Sequence, residues 1–128
     1  MLRDLAERAP AADLYARIGD LLDEQGRHEE AERSYALAEA AWRSDMPEPA
    51  KLARFLADRG KNVVEAVRLA EETAARRRDI FTEDARAWAY FKAGRVADAK
   101  KAIASALRTG TRDREILAHA RAIQREGT

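Results

Sequence analysis

The sequence contains no cysteine, only three prolines and few aromatic residues, which make up 6% of its 128 positions. Without cysteine the chain forms neither disulfides nor thiolate metal sites, and it has no cysteine nucleophile. Its apolar runs cover only a few residues, whereas a membrane-spanning helix needs about 20. Near the start, Arg3, Asp4, Glu7 and Arg8 would interrupt the apolar stretch of a secretory leader. The sequence therefore predicts one cytoplasmic domain that does not enter a membrane.

An excess of charge of one sign is also missing. The chain carries 24 basic and 23 acidic residues, for a formal net charge of +1. Proteins that bind nucleic acid or an anionic membrane surface through charge usually concentrate a basic excess on one face. We therefore expect neither kind of partner.

Alanine is the residue that the sequence has in abundance, with 29 copies. Alanine is the strongest helix former, while the β-branched and aromatic residues that favour strands are sparse. This composition predicts an all-α protein. Because an alanine interior buries little area per residue, its helices must approach one another closely.

Glycines recur at a nearly constant interval and mark an internal repeat. They stand at Gly26, Gly60, Gly94 and Gly127, separated by 34, 34 and 33 residues. A period of this length is typical of helical-repeat proteins.

Other positions repeat together with these glycines. The residue seven before each glycine is small: these residues are Gly19, Ala53, Ala87 and Ala120. An alanine follows the first three glycines after five or six residues, and the list is Ala31, Ala66 and Ala99. Each repeat has room for two helices, and the glycine between them suits a turn because it adopts the left-handed conformation without a Cβ clash. The extra residue between Gly60 and Ala66 predicts a longer turn in the second copy.

Apolar periodicity and capping residues place the helices along the chain. We predict helices over residues 13–25, 28–41, 48–59, 63–77, 82–92, 96–108 and 113–126. Asn62 and Thr82 have the side chains of N-cap residues, and the acidic residues that follow them suit a helix N-terminus.

The two best copies, YARIGDLLDEQGRHEEAERSYALA and AWAYFKAGRVADAKKAIASAL, carry a small residue seven before the glycine and an alanine five after it. With these residues the chain resembles the tetratricopeptide repeat family, whose unit is an antiparallel helix pair of 34 residues. The resemblance implies a right-handed superhelical solenoid of about three repeats and a terminal helix. Its segments would be an N-terminal helical stub at residues 1–10, repeats at 12–45, 46–79 and 80–111, and a capping helix at 112–128.

The chain departs from the family pattern at positions where an apolar residue is usual. Arg86 and His119 lie eight residues before their glycines, and Pro49 and Glu83 lie eleven before theirs. The second repeat also has Ala70 where the family usually has an aromatic residue.

The first helix of each repeat lines the concave surface of such a solenoid. The residues opposite the core stripe lie thirteen, ten, six, three and two before each glycine. They are acidic in the first repeat, aromatic in the third and basic in the last helix. This gradient predicts a groove that orients a protein or peptide segment by charge, with apolar anchors in the third repeat. The candidate partner-binding residues are Asp20, Asp23, Arg54, Trp88, Phe91, Lys92 and Arg121.

A second interpretation of the same residues remains open, in which the groove charges are solvated and Trp88 packs against a neighbouring repeat. Family members that clamp a carboxylate at a chaperone C-terminus have a lysine and an asparagine where this chain has Ala16 and Asp20. We therefore expect no binding of such tails, because Asp20 would repel the carboxylate.

No pattern in the sequence indicates catalysis, a metal or a cofactor. The two histidines, His28 and His119, lie on distant repeats, and Glu115 with His119 supplies two ligands without a third. We expect a non-enzymatic scaffold for protein–protein interaction. The alternative is a structural module that self-associates through its helix ends, or a piece of a longer protein.

Overall fold

The computed structural model describes residues 11–44 and 48–126, and these residues form helices and turns without any strand. The seven helices of this part of the chain are α1 Ala11–Glu24, α2 His28–Arg43, α3 Pro49–Arg59, α4 Val63–Arg76, α5 Ile80–Lys92, α6 Val96–Leu107 and α7 Arg114–Arg125. The prediction of an all-α protein is confirmed. The predicted stub at residues 1–10 and the last repeat glycine, Gly127, lie outside the described residues.

The chain divides into two compact units, Met1–Glu48 and Pro49–Thr128. In the first unit α1 packs against α2. The contact is close because Gly19 has no side chain: a Cβ atom there would lie 2.6 Å from Cε1 of Tyr35. The hydroxyl of Tyr35 then reaches back across α1 and donates a hydrogen bond to Asp20 Oδ1 at 2.7 Å.

The second unit is built around α5. This helix contacts α3, α4, α6 and α7, and α3 with α4 and α5 with α6 form consecutive helix pairs. Small residues make these contacts possible, since Ala53, Ala66, Ala87 and Ala99 are all completely buried. Ala31 has the corresponding place in the first unit and is 1% exposed.

The turns within the helix pairs lie at the predicted glycines. Gly26, Gly60 and Gly94 have φ values of 78°, 66° and 83°, in the left-handed region that favours glycine. Each connection has three residues, at 25–27, 60–62 and 93–95, so the predicted longer turn is not observed. Two residues separate Gly60 from α4, where one separates Gly26 from α2 and Gly94 from α6, and the second of them, Asn62, takes a left-handed conformation with φ of 51°. Asn62 precedes α4 as expected, but its side chain makes no capping hydrogen bond, so its predicted capping role is wrong.

The predicted start of α5 is also wrong, by one short turn. Asp79, in an extended conformation, is the N-cap, and its Oδ1 accepts a hydrogen bond from the backbone N–H of Thr82 at 2.8 Å. Thr82 therefore lies inside the first turn, where it is 2% exposed. Aspartate is a stronger N-cap than threonine, so the helix begins after Asp79.

Two of the departures from the repeat pattern lie together on α5. Glu83 is buried, and its carboxylate accepts a bond of 2.6 Å from Arg86, three residues along the same helix. Because two opposite charges replace two apolar side chains at once, each has a partner and neither is buried alone.

Candidate functional site

Three helices of the second unit bring their polar side chains to one surface. Helices α3, α5 and α7 are the first helices of the predicted repeats, and α5 contacts both of the others. Because the predicted repeats are about 34 residues apart, side chains that are distant in the chain become neighbours here. We call the following group the Trp88 cluster: Arg54, Asp58, Asp84, Trp88, Glu115 and His119.

Asp84 is the centre of the cluster and is completely buried. Its Oδ1 lies 2.9 Å from Nδ1 of His119 on α7, which is itself buried. Its Oδ2 lies 3.4 Å from Nε of Arg54 on α3. Two helices therefore supply partners for one carboxylate, which offsets the cost of burying a charge.

Arg54 links α3 to α7 as well. Its guanidinium forms an ion pair of 2.6 Å with Glu115, whose side chain is largely exposed. Within the described residues, Asp84 Oδ2 and Arg54 Nε make no hydrogen bond, although they lie side by side. Their attraction is therefore that of opposite charges without hydrogen-bond geometry.

Trp88 joins the same three helices through its ring. Its Nε1 donates a hydrogen bond of 2.6 Å to Asp58 Oδ1 on α3. Its ring stacks on that of His119, with centroids 3.9 Å apart and planes at 16°. Phe91 lies 5.3 Å from the Trp88 ring, and Nζ of Lys92 lies 5.4 Å from it. Trp88 thus packs against neighbouring helices, as the second interpretation of the sequence expects.

The surroundings of Asp58 disfavour its ionised form. Asp58 is exposed when its whole surface is considered, but neighbouring atoms desolvate its carboxyl group. This desolvation raises the pKa of the carboxyl above the ordinary value of 3.8. The hydrogen bond from Trp88 and the neighbouring His119 and Arg54 lower this pKa, and Glu115 raises it. Since the raised pKa favours protonation in the folded state, the stability it contributes is present below pH 3.8 and is lost as the pH rises through the folded pKa.

Four of the predicted partner-binding residues come together in or beside this cluster, namely Arg54, Trp88, Phe91 and Lys92. Arg121 is exposed on α7. The predicted outward stripe is nevertheless wrong in two places, because Ala57 and Asp84 are completely buried. Neighbouring first helices cover part of the face that a single amphipathic helix would leave open.

Sequence reasoning missed the pairing of Asp84 with His119. The available signal was their separation of 35 residues, close to one repeat, which places both on adjacent first helices. It gives no indication that the two polar side chains face each other.

The remaining candidates, Asp20 and Asp23, lie in the first unit on α1. Both are exposed, and Asp23 Oδ1 lies 2.6 Å from Nδ1 of His28. They border a shallow cleft of about 310 Å³, which we call the α1 cleft, lined by Arg17, Asp20, Leu21, Asp23, Glu24 and Tyr35.

Comparison of the chain with protein-family models, curated proteins and solved structures found no match. Among the described residues, no three His, Asp or Glu side chains are placed to hold a metal ion. No helix in residues 11–44 and 48–126 combines the length and apolar character that crossing a bilayer requires.

Proposed function

We propose that this chain is a non-enzymatic scaffold of the tetratricopeptide type that holds a protein or peptide segment along its first helices. The observation that carries the proposal is the contact of α5 with both α3 and α7, which brings side chains of three helices to one surface. Stacked helix pairs of this kind use the surface of their first helices for binding.

The side chains available to a ligand lie at the edge of the Trp88 cluster. Phe91 is half-buried beside the Trp88 ring, Lys92 is exposed, and Phe81 at the other end of α5 is 53% exposed. An apolar side chain of a partner would pack on Phe91, and an acidic one would pair with Lys92 or Arg121. In this proposal Trp88 supports the surface from beneath, through His119 and Asp58.

The test begins with a peptide selected from a random display library by the intact protein, with affinity measured by titration calorimetry. We expect the double variant Phe91→Ala and Lys92→Ala to weaken binding by about tenfold or more, since it removes an anchor and a charge. The matched control is Val64→Ala with Arg68→Ala on α4, which likewise removes one apolar side chain and one exposed cation. This control should bind like the wild type.

Trp88→Ala separates support of the surface from direct contact with the ligand. We expect a lower melting temperature, and weaker binding that Trp88→Phe largely restores because the phenyl ring still stacks on His119. A failure to select any peptide, or an equal loss of affinity in the α4 control, would contradict the proposed scaffold function.

A further inference from the structure

The two units carry opposite charge, which the balanced total conceals. Residues 1–48 contain 12 acidic and 6 basic side chains, whereas residues 49–128 contain 11 acidic and 18 basic ones. The formal net charges are therefore −6 and +7. One chain thus offers two surfaces that attract each other when they belong to different copies.

The α1 cleft lies in the acidic unit, on α1 and α2. Leu21 in its lining is 46% exposed, and the adjacent Ile18 is 39% exposed. The lining carries three carboxylates against one cation, Arg17, so it is negative overall, and the Tyr35 hydroxyl holds the carboxylate of Asp20 in place. The cleft therefore suits an apolar side chain that is flanked by cations.

Helix α7 presents that combination on the side opposite its core. Ile116, Ala120 and Ile123 face inward and are buried. Arg114, Leu117 and Arg121 lie at i, i+3 and i+7, on one stripe of the opposite side, and we call them the α7 outer face. Both arginines are exposed and Leu117 is half-buried.

We propose that the chain self-associates head to tail, with the α7 outer face of one copy docked on the α1 cleft of the next. Leu117 packs against Leu21, while the arginines of α7 pair with Asp20 and Asp23. Because two different surfaces meet, each complex leaves one cleft and one α7 outer face free, so further copies add to it, either in an open series or until a ring closes. A small, charged interface of this kind is weak and sensitive to salt.

The test measures molar mass by light scattering on the intact protein, from micromolar to millimolar concentration. At about 0.01 M salt we expect the wild-type mass to rise above 14.3 kDa with concentration. At about 1 M salt it should return to the monomer value, because the Debye length falls from about 30 Å to about 3 Å.

Two neutral double variants identify the surfaces. The cleft variant is Asp20→Asn with Asp23→Asn, which keeps acceptors for Tyr35 and His28, and the tail variant is Arg114→Gln with Arg121→Gln. Each alone should associate at least about tenfold more weakly than the wild type. Their equimolar mixture should form a dimer of twice 14.3 kDa and stop there, because only one intact cleft and one intact tail can meet.

The matched controls are Glu29→Gln with Glu32→Gln on α2 and Lys100→Gln with Lys101→Gln on α6, which should associate like the wild type. Circular dichroism checks that every variant is folded. A wild type that stays monomeric at low salt, a variant that associates unchanged, or a mixture of folded variants that stays monomeric would overturn the proposal. None of these results depends on a peptide ligand, so the scaffold function is tested separately.

Discussion

At Gly19 on α1 a single added methyl group would meet a neighbouring side chain. A Cβ atom would lie 2.6 Å from the Tyr35 ring, which is buried and held by its hydrogen bond to Asp20. We expect Gly19→Ala to lower the free energy of unfolding by about 1–2 kcal/mol, because the overpacking outweighs a helix-propensity gain of about 1 kcal/mol. Chemical denaturation followed by circular dichroism measures the change.

A double-mutant cycle provides the control for this prediction. Tyr35→Leu removes the ring that the new methyl group would strike, so adding Gly19→Ala to it should cost less than adding the same change to the wild type. Equal costs in the two backgrounds would show that the close approach of Tyr35 is not the reason for the glycine.

The stability that Asp79 gives to the start of α5 depends on pH. Desolvation raises the pKa of its carboxyl, but the hydrogen bonds from Thr82 and the charge of Arg77 outweigh this effect, so that the pKa lies below 3.8. A lowered pKa contributes stability that is present above pH 3.8 and is lost as the pH falls through the folded pKa. We expect Asp79→Ala to cost about 1 kcal/mol at neutral pH, as the loss of an N-cap usually does.

Thermal melts of wild type and variant across the acid range test this expectation. The gap in stability should narrow as the pH falls below 3.8. Asp79→Asn keeps an acceptor for the Thr82 N–H and should lose less stability at neutral pH. A gap that stays constant down to the most acid pH would contradict the role of the ionised carboxylate.

At the scale of the helices, Asp84 determines how firmly α3, α5 and α7 are held together. Its removal leaves His119 buried without its partner and Arg54 without one of its two. We therefore expect Asp84→Ala to lower the free energy of unfolding by about 3 kcal/mol, as is usual when one member of a buried charged group is deleted.

The matched control is Asp98→Ala on α6, which removes an exposed ion pair of 2.9 Å with Arg95. Exposed pairs contribute about 0–1 kcal/mol, so this variant should stay close to the wild type in a urea titration. Similar losses in both variants would mean that the burial of Asp84 gives it no special importance.

The sequence predicts where some helices end more reliably than where others begin. The glycine turns after α1, α3 and α5 follow from spacing and local conformational preference, which need no information about the rest of the fold. The start of α5 is harder to predict from the sequence, because Asp79 and Thr82 both have side chains that can cap a helix. Only the structure shows that the Asp79 carboxylate accepts the hydrogen bond from the Thr82 N–H. Asn62 shows the same limit, since it takes a left-handed conformation before α4 and its side chain makes no capping hydrogen bond.

For the whole molecule, we expect the two units to differ in local stability. Helix α5 contacts four helices of its unit, whereas α2 is the only helix among residues 11–44 that α1 packs against. Segments with fewer buried contacts open at a lower free energy. Hydrogen exchange of the intact chain should therefore be slower in α5 than in α1.

Mass spectrometry of peptides from α1 and α5 measures this difference directly. The comparison is made at neutral pH and low protein concentration, where head-to-tail association is weakest. Equal protection of the two helices would contradict the difference expected between the units.

The sequence by itself determined the helical class, the approximate helix bounds and the turn glycines. These features depend on alanine propensity, on the 3.6-residue period and on φ at glycine, all of which are local. Only the tertiary structure decided that Asp84 is buried between Arg54 and His119, and that Trp88 bonds to Asp58. Such contacts depend on which helices become neighbours and how closely they approach, and no single helix carries that information.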